Sequence, residues 1–206
     1  MNEDLFNFKK DFSEEVRITL IGVGGAGCNT ADRLLSTGLK GIRIIAANTD
    51  VQHLDMVNAH YKVILGKGVT KFRGAGGDPE MGKQAAEESV DELRSVLEGS
   101  DITFVAAGLG GGTGTGGAPV VAEVARELGS IVIGVVTLPF KFEGNVRKRI
   151  ALQGLEDMRR KCNTVVTIDN NKLLDLYPQY SLKTAFSIAD EVISNMIMSI
   201  TESIAK

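Results

Sequence analysis

Gly108-Leu-Gly-Gly-Gly-Thr-Gly-Thr-Gly-Gly117 is the stretch from which the fold of this 206-residue chain can be reasoned. An apolar run from Ile102 to Ala107 precedes it, and a run with helical apolar spacing from Val120 to Leu128 follows it. A loop so rich in glycine costs much conformational entropy to order, so it is seldom only a connector. Its backbone N–H groups can approach a ligand closely, and the next helix directs its positive end to the same place. The order of strand, glycine-rich turn and helix therefore predicts a phosphate-binding site, with a plain tight turn as the simpler alternative.

Two more glycine-rich loops occur along the chain. Gly22-x-Gly24-x-x-Gly27 directly follows a predicted strand and fits the dinucleotide-binding fingerprint, which is a weak signal by itself. Lys71–Gly77 precedes Asp78-Pro79, which is typical of a helix start because aspartate caps the helix and proline suits its first position. Each of these loops stands before a predicted helix, as the Gly108–Gly117 loop does.

Strands and helices alternate along the chain. We predict strands at Val16–Val23, Ile42–Ala47, Tyr61–Leu65, Ile102–Ala107, Ile131–Leu138 and Thr164–Ile168, and helices at Cys28–Leu35, Val51–Met56, Pro79 to about Leu97, Val120–Leu128 and about Gly144–Lys161. Short, nearly continuous apolar strands in this order indicate a parallel sheet covered on both faces. The predicted fold is α/β: a Rossmann-like, doubly wound, mostly parallel sheet with helices on both faces. Residues 1–14 are predicted to form an N-terminal arm, and residues 15–206 one domain that ends in a long central helix at about 182–205.

The residues that could bind a ligand follow the carboxyl ends of the predicted strands. Ligands of such sheets bind outside these ends. All three glycine-rich loops fall there, as do Asn48-Thr49-Asp50, Pro139–Glu143 and Asp169–Asn171. We therefore expect one ligand site at this edge of the sheet.

Composition narrows the possible functions. The net charge of −3 argues against non-specific binding to nucleic acid or to an anionic membrane surface. No apolar run reaches the roughly 18 residues of a membrane span, and the N-terminus has no signal-peptide pattern. Cys28 and Cys162 are far apart in sequence, and His53 and His60 are isolated, so neither residue type indicates a metal site. We predict a cytoplasmic protein in a reducing compartment.

A nucleotide is the expected ligand, but its kind is open at this point. An NAD- or adenylate-binding Rossmann module is one alternative, with Asp50 as the ribose acid, although Asp50 stands farther on than the usual ~20 residues. Such a module needs only one glycine-rich loop for a pyrophosphate. Three loops suit a triphosphate neutralised mainly by backbone dipoles. No GxxxxGK[ST] motif occurs, so the site works without the P-loop lysine.

The motifs resemble those of the FtsZ and tubulin family. Its GGGTGTG signature stands at 110–116, and GVGGAGCN, NTD, GAGGDPE, TLPFKFEG, DNNKLL and AFSIADEV resemble further family segments in the same order. The resemblance covers almost the whole chain and is greatest to the archaeal FtsZ branch. It implies a filament-forming GTPase of cell division that binds GTP or GDP, with Mg²⁺ accompanying GTP. Asp78 departs from the asparagine of many bacterial relatives, which puts a side-chain role there in doubt.

The resemblance also implies which residues bind the nucleotide. They are Gly24, Gly25, Ala26, Gly27 and Asn29 on the phosphate and nucleoside side; Gly74, Ala75 and Gly76 at the γ-phosphate; Gly110, Gly111, Gly112, Thr113, Gly114 and Thr115 around the α- and β-phosphates; Glu143 and Arg147 at the ribose; Asn170 and Asp190 at the guanine edge; and Phe186 stacked on the base. Asp50 is the nearest candidate carboxylate for Mg²⁺, through water.

Several of these residues have structural alternatives. Glu143 and Arg147 are four residues apart and could form a plain helix pair. Phe186 could belong to the core, Asp190 to a solvated helix face, and Asn170 could cap a turn. A carboxylate does suit guanine, because it accepts hydrogen bonds from the ring N–H and the amino group together.

The resemblance implies incomplete catalytic machinery in this chain. In the family, an acidic loop of the next subunit positions the attacking water, and that loop is expected just after Lys206. No catalytic residue is therefore predicted here, and the second domain and the acidic loop are expected to be absent. The chain alone is predicted to be monomeric and almost inactive, while the full-length protein forms protofilaments and works with division-ring proteins at mid-cell. A non-hydrolysing FtsZ/tubulin-like scaffold is the remaining alternative.

Overall fold

Residues 16–176 and 181–204 are described by a computed structural model of the chain. The strands are β1 (Ile18–Val23), β2 (Ile42–Asn48), β3 (Tyr61–Ile64), β4 (Ile102–Gly108), β5 (Ile131–Leu138) and β6 (Thr164–Asp169). The α-helices are α1 (Gly24–Ser36), α2 (Val51–Met56), α3 (Lys67–Thr70), α4 (Pro79–Glu88), α5 (Val90–Leu97), α6 (Ala118–Glu127), α7 (Asn145–Lys161), α8 (Asn170–Leu176) and α9 (Leu182–Ile204). A π-helical turn spans Thr113–Gly117 and a 3₁₀ turn spans Lys141–Glu143. The predicted arm at residues 1–14 lies outside the described residues.

The six strands form one sheet in the order β3-β2-β1-β4-β5-β6, and every neighbouring pair is parallel. The chain moves outward from β1 to β3 and then returns to β4 on the other side of β1. Val23 pairs with Ala107, so β1 and β4 end almost level at this switch in strand order. The predicted α/β fold is therefore confirmed, and the switch point is where such sheets leave a crevice for a ligand.

Both faces of the sheet are covered because neighbouring residues along each strand point to opposite faces. Leu20 and Phe104 pack against α1 and α9, while Ile21 and Val105 pack against α4, α5, α6 and α7. All four side chains are fully buried. The long helix agrees with its predicted span of about 182–205, and Ala189, Ile193 and Ile197 bury one stripe of it.

The helix predicted from Pro79 to about Leu97 is wrong in one respect: it is two helices that meet at Ser89. Ser89 leaves helical geometry, with φ −104° and ψ 15°. Its Oγ accepts the N–H of Gly66 (2.9 Å), and the Glu88 carboxylate accepts the N–H groups of Gly68 and Val69. Side chains that bond to a neighbouring segment compete with the helix backbone here, which ends α4 and fixes the short α3 against it.

Helix α1 begins earlier than predicted, since Gly24 to Gly27 form its first turn rather than a free loop. Gly24 has a φ of +72°, a conformation that residues with a Cβ seldom adopt. The sequence also did not predict α8, which starts at Asn170 directly after β6. Cys28 and Cys162 are both buried and neither forms a disulfide. In the part of the chain that the structure describes, no helix has both the length and the apolarity needed to cross a bilayer.

Candidate functional site

A pocket of about 320 Å³ lies at the carboxyl ends of β1, β4, β5 and β6. Residues from the loops and helices that follow these strands form its walls. They are Gly25, Ala26, Gly108, Leu109, Gly111, Gly112, Thr113, Gly114, Thr137, Pro139, Glu143, Arg147, Asn170, Phe186, Ala189 and Asp190. Four strand ends, a glycine-rich loop and the long helix α9 thus meet around one cavity.

The glycines of the loop after β4 have two different tasks. A Cβ added to Gly111 would meet no atom within 4 Å, so this residue presents bare backbone to open space. A Cβ on Gly112 would lie 2.8 Å from the Ala75 Cβ and 2.8 Å from the Asp78 carbonyl oxygen. A Cβ on Gly114 would lie 2.6 Å from the Gly108 carbonyl oxygen. Gly112 and Gly114 are therefore required by packing, whereas Gly111 leaves room for a ligand.

The two threonines of this loop point in different directions. Thr115 Oγ1 accepts the N–H of Gly110 (2.9 Å), and the Thr115 methyl group packs on Gly154 of α7. Thr115 thus supports the loop from behind and does not line the pocket. Thr113 does line the pocket, and its Oγ1 lies 2.6 Å from Thr49 Oγ1. Gly110, with a φ of +107°, also lies outside the lining.

The Gly74–Gly76 loop borders the pocket without lining it. The Gly74 N–H donates to the Thr49 carbonyl oxygen (3.2 Å), and Ala75 is buried against the Gly112 backbone. Gly76 is exposed and adopts a positive φ of 58°. The loop is thus fixed at its start and open at its tip.

The first turn of α1 faces the pocket with Gly25 and Ala26. Gly24 and Gly27 are buried instead, and a Cβ on Gly27 would come within 2.3 Å of the Ala106 carbonyl oxygen. Gly27 therefore lets α1 approach β4 closely. Asn29 is exposed one turn along α1, and its Oδ1 lies 3.1 Å from His53 Nε2.

Glu143 and Arg147 stand side by side at one wall of the pocket. Arg147 donates to Glu143 Oε2 (2.7 Å), so the predicted helix pair does form. Glu143 Oε1 also accepts the N–H of Phe140 (2.8 Å), which ties this carboxylate to the chain after β5. The Glu143 side chain is only 15% exposed and that of Arg147 is 58% exposed, so Arg147 is the more available of the two.

Two polar side chains at the far end of the pocket are wholly or partly buried without all of the hydrogen bonds or ion pairs that would offset the cost of their burial. Asn170 is 5% exposed, and among the described residues its Oδ1 has no hydrogen-bond partner. Such an atom costs free energy unless a ligand or water bonds to it. Burial raises the pKa of Asp190 to about 6, although the Arg33 guanidinium and the Thr30 hydroxyl (3.4 Å) act in the opposite direction. Both groups therefore favour a ligand that brings hydrogen-bond donors.

Phe186 supplies the apolar surface beside these groups. It is 44% exposed and meets Phe140 edge to face, with ring centroids 4.8 Å apart. Phe140 is buried and stacks in turn on Phe142. An aromatic face held in this way is suited to stacking on a planar ligand.

A model of the tubulin/FtsZ family, GTPase domain, matches residues 17–178 of this chain. The chain belongs to the tubulin/FtsZ family.

Relatives and solved structures support the same family. "Cell division protein FtsZ 2" of Methanocaldococcus jannaschii is 50% identical over 202 residues, which are 98% of this chain and 53% of that protein. "Cell division protein FtsZ 1" of Pyrococcus horikoshii is 49% identical over 93% of this chain and 52% of its own length. The chain thus spans about half the length of the curated relatives it matches.

Two solved structures are similar over nearly the whole chain. An FtsZ dimer from M. jannaschii, described as empty, has a TM-score of 0.91 and 43% identity, and the match covers all of this chain and 60% of that one. CetZ2 from Haloferax volcanii, described as a GTPγS-bound protofilament, has a TM-score of 0.82 and 30% identity over 90% of this chain and 58% of that one. The archaeal resemblance seen in the motifs therefore extends to the fold.

Asp50, the predicted metal residue of this FtsZ/tubulin domain, acts as a helix cap. Its Oδ1 accepts the N–H groups of Gln52 (3.0 Å) and His53 (3.2 Å) at the start of α2. No group of three or more His, Cys, Asp or Glu residues within 16–176 and 181–204 is arranged to hold a metal ion. A metal at this site would therefore take most of its ligands from the nucleotide and water.

Sequence reasoning missed several residues of the site. Thr137 and Ala189 line the pocket, and Thr49, which the sequence placed at a strand end without a role, contacts Thr113. Thr137 lies near the end of β5, so the rule that ligands bind at strand ends could have identified it. Ala189 stands three residues after Phe186 on the same face of α9, so helical spacing could have identified it.

A larger cleft of about 710 Å³ lies behind the glycine-rich loop, among α4, α5, α6 and α7. Oppositely charged pairs occupy its rim, including Arg94 with Glu127 and Lys161 with Glu123. Of the residues predicted to bind nucleotide, Thr115 alone reaches this cleft. The smaller pocket collects most of the others and is the candidate site.

Proposed function

We propose that this chain is the guanine-nucleotide-binding part of a filament-forming cell-division GTPase, and that it binds GTP or GDP in the 320 Å³ pocket. The buried Asn170 Oδ1, which has no hydrogen-bond partner within residues 16–176 and 181–204, carries the proposal, because Asn170 lines one end of the pocket with Asp190 and Phe186 while the other end is glycine backbone. The first end suits a base and the second suits phosphates.

The phosphates bind at the glycine end. Gly25 and Ala26 belong to the first turn of α1, whose leading N–H groups have no partner within the helix and carry the positive end of its dipole. Gly111 exposes its backbone across from them, and no Cβ intervenes at either Gly25 or Gly111. Thr113 adds a hydroxyl. We assign a third phosphate to the tip of the Gly74–Gly76 loop, whose Ala75 packs against the Gly112 backbone at the pocket wall.

The base binds between Phe186 and the polar pair Asn170 and Asp190. The Asp190 carboxylate accepts hydrogen bonds from the guanine ring N–H and amino group together, while adenine places an acceptor where guanine has its ring N–H. Asn170 Oδ1 accepts a hydrogen bond from a further N–H of the base. Glu143 and Arg147 stand between the two ends, where the ribose lies. The GTPγS named for the CetZ2 structure supports a guanine nucleotide in this family fold.

Mg²⁺ supplies charge neutralisation on the phosphate oxygens when GTP is bound. Asp50 is the residue that would hold it, through water, with the carboxylate oxygen that does not cap α2. In the part of the chain described here, the carboxylates that line the pocket are Glu143, which is bonded to Arg147, and Asp190 at the base end. Neither is placed to activate a water at the phosphates.

Hydrolysis is therefore completed by a neighbouring subunit, as the family resemblance implies. We infer that residues 15–206 act as one nucleotide-binding domain, that a neighbouring subunit supplies the catalytic acidic loop, and that this chain alone is monomeric and hydrolyses GTP very slowly. In the full-length protein the same domain stacks into protofilaments and joins division-ring proteins in the cytoplasm. The dimer and the protofilament named for the two solved structures support self-association.

Nucleotide selectivity tests the proposal. A ligand that binds the folded state raises the melting temperature by mass action. We expect GDP and GTP to raise it at concentrations where NAD and ATP do not. Equal shifts with NAD or ATP would instead support the dinucleotide-binding or adenylate-binding module. Asp190→Asn serves as the matched control, since it should abolish the preference for guanine and leave the fold intact.

Turnover separates the GTPase from a non-hydrolysing scaffold. Phosphate release is measured for this chain alone, for the full-length protein, and for a mixture of the two. We expect release only where full-length protein is present, together with filaments that sediment in a GTP-dependent manner. If this chain alone released phosphate as fast as the full-length protein does, a catalytic site shared between two subunits would be refuted. If the full-length protein released no phosphate, the non-hydrolysing scaffold would be favoured.

A further inference from the structure

Thr49 and Thr113 form a pair of buried hydroxyls beneath the pocket. Their Oγ1 atoms lie 2.6 Å apart, so one hydroxyl donates to the other. Thr49 is completely buried, and Thr113 is 9% exposed and lines the pocket. The pair joins the chain after β2 to the π-helical turn that ends the glycine-rich loop.

The backbone of Thr49 is fully engaged around this contact. Its N–H donates to Asn48 Oδ1 (2.9 Å), and its carbonyl oxygen accepts the N–H of Gly74 (3.2 Å). These bonds fix the position of the Thr49 backbone, and the side-chain hydroxyl is buried beside it. Among the described residues, the hydroxyl of Thr113 is the partner that the structure gives it.

Two hydroxyls that share one hydrogen bond have one proton left over. If Thr113 donates, the remaining proton belongs to Thr49, which has no contact with solvent, and a buried O–H without an acceptor costs free energy. If Thr49 donates, the remaining proton belongs to Thr113, at the pocket wall. The second arrangement is favoured, because that proton can then bond to a ligand acceptor.

We propose that Thr49 is a positioning residue that donates to Thr113 Oγ1 and so directs the Thr113 hydroxyl proton at a phosphate oxygen of the bound nucleotide. The proposal rests on the guanine-nucleotide function above and adds a residue that does not line the pocket. A hydroxyl held in this way presents its proton to the pocket, so the pair favours a ligand acceptor, and a phosphate oxygen is the acceptor that a nucleotide offers there.

The test compares the dissociation constants of GDP and of guanosine, measured by competition against a fluorescent GDP analogue. Thr49→Val keeps the shape of the side chain and removes its donor, while Thr49→Ser restores it. We expect Thr49→Val to weaken GDP about three- to tenfold, Thr49→Ser to bind as the unchanged chain does, and guanosine affinity to stay the same in both. Thr49→Ala replaces Thr49→Val if the latter does not fold.

Thr103→Val is the matched control. Thr103 Oγ1 lies 2.8 Å from Ser130 Oγ in another buried pair, at the opposite end of the sheet. We expect Thr103→Val to lower the melting temperature about as much as Thr49→Val does and to leave GDP affinity unchanged. An equal loss of GDP affinity in Thr103→Val would overturn the proposal, since the effect would then follow from stability alone.

Thr113→Val decides the direction of the hydrogen bond. If Thr49 acts by orienting the Thr113 proton, Thr113→Val weakens GDP more than Thr49→Val, and the double variant is no worse than Thr113→Val. Equal losses in both single variants and in the double variant would show that the pair only ties two loops together, which overturns the proposal. If the unchanged chain binds neither GDP nor GTP, the proposed function itself fails, and this outcome is distinct from the others.

Discussion

The two ends of the pocket are built in different ways. The phosphate end is almost entirely backbone, presented by Gly25 of α1 and Gly111 of the loop after β4. The base end is made of side chains, namely Asn170 at the start of α8 and Phe186 and Asp190 on α9. One end depends on the absence of side chains and the other on their chemistry.

This difference follows from what each end must recognise. Phosphates are the same in every nucleotide, so a cradle of N–H groups binds them without identifying the base. Nucleotides differ in their bases, and recognising one base requires hydrogen-bond donors and acceptors at fixed positions. The phosphate end should therefore determine affinity for nucleotides in general, while the base end should determine which nucleotide binds.

Asp190→Asn should give the largest effect. The amide keeps the shape of the side chain, but one of its two positions becomes a donor that faces a donor of guanine. We expect GDP to bind about 100-fold more weakly, because two charge-assisted hydrogen bonds are lost or reversed. Calorimetric titration with GDP and ADP checks this, and ADP affinity should not fall. An equal fall in ADP affinity would mean that Asp190 does not distinguish guanine from adenine.

A pair of alanine substitutions tests the phosphate end. Gly112→Ala forces a Cβ to within 2.8 Å of the Asp78 carbonyl oxygen, so we expect a loss of about 1–3 kcal/mol of unfolding free energy and weaker GDP binding. Gly111→Ala meets no atom of the protein. It should leave the melting temperature of the free chain unchanged and still weaken GDP about tenfold or more, since its Cβ occupies the phosphate cradle.

Thermal melting with and without GDP separates the two substitutions. If Gly111→Ala binds GDP as tightly as the unchanged chain, the phosphates do not pass over this glycine and the pocket is occupied in another orientation. ADP should weaken in the same proportion as GDP in both variants, which is the opposite of the pattern expected for Asp190→Asn.

The sequence was informative about the two ends to different degrees. Glycine-rich loops are visible as composition, so the phosphate end and the parallel sheet beneath it could be predicted from the chain alone. The sheet is confirmed. Composition could not tell which glycines leave room for a ligand, since an added Cβ would clash at Gly27 and Gly112 but meets no atom at Gly25 and Gly111, and this distinction depends on what lies around each Cα.

Long-range contacts account for the remaining differences. The break at Ser89 arises from a hydrogen bond to Gly66, 23 residues earlier, which no local helix signal contains. Thr49 acquires its place through Thr113, 64 residues later. The residues of the base end came from the family resemblance, because helical spacing on α9 alone could not separate Phe186 as a stacking surface from a core residue.

The pH dependence of binding should be a smaller effect at the base end. The pKa of Asp190 in the free chain is raised to about 6 by burial, and guanine requires the charged form. GDP affinity should therefore fall as the pH drops below about 6 and be about tenfold weaker at pH 5 than at pH 7. In Asp190→Asn this dependence should vanish. A flat profile in the unchanged chain would contradict a carboxylate in contact with the base.

The same carboxylate should act on stability in the opposite direction. Between its unfolded pKa near 3.8 and its folded pKa of about 6, the folded state of the free chain binds more protons than the unfolded state. Unfolding free energy from this group therefore rises as the pH falls through that window and is lost as the pH increases. Urea unfolding of the free chain and of Asp190→Asn at pH 5 and pH 7 isolates this contribution.

Arg147→Gln should give the smallest effect, and it tests the middle of the pocket. The Arg147 guanidinium is largely exposed, and exposed ion pairs contribute little, so we expect its loss to lower the unfolding free energy by only about 0.5 kcal/mol. Glu143 keeps its bond from the Phe140 N–H and stays in place. If Arg147 contacts the ribose, GDP weakens about threefold and ADP weakens equally, because the sugar is common to both. If the affinity for GDP alone changed, Arg147 would contact the base and not the ribose. If neither affinity changed, Arg147 would only form the helix pair with Glu143 that their spacing first suggested.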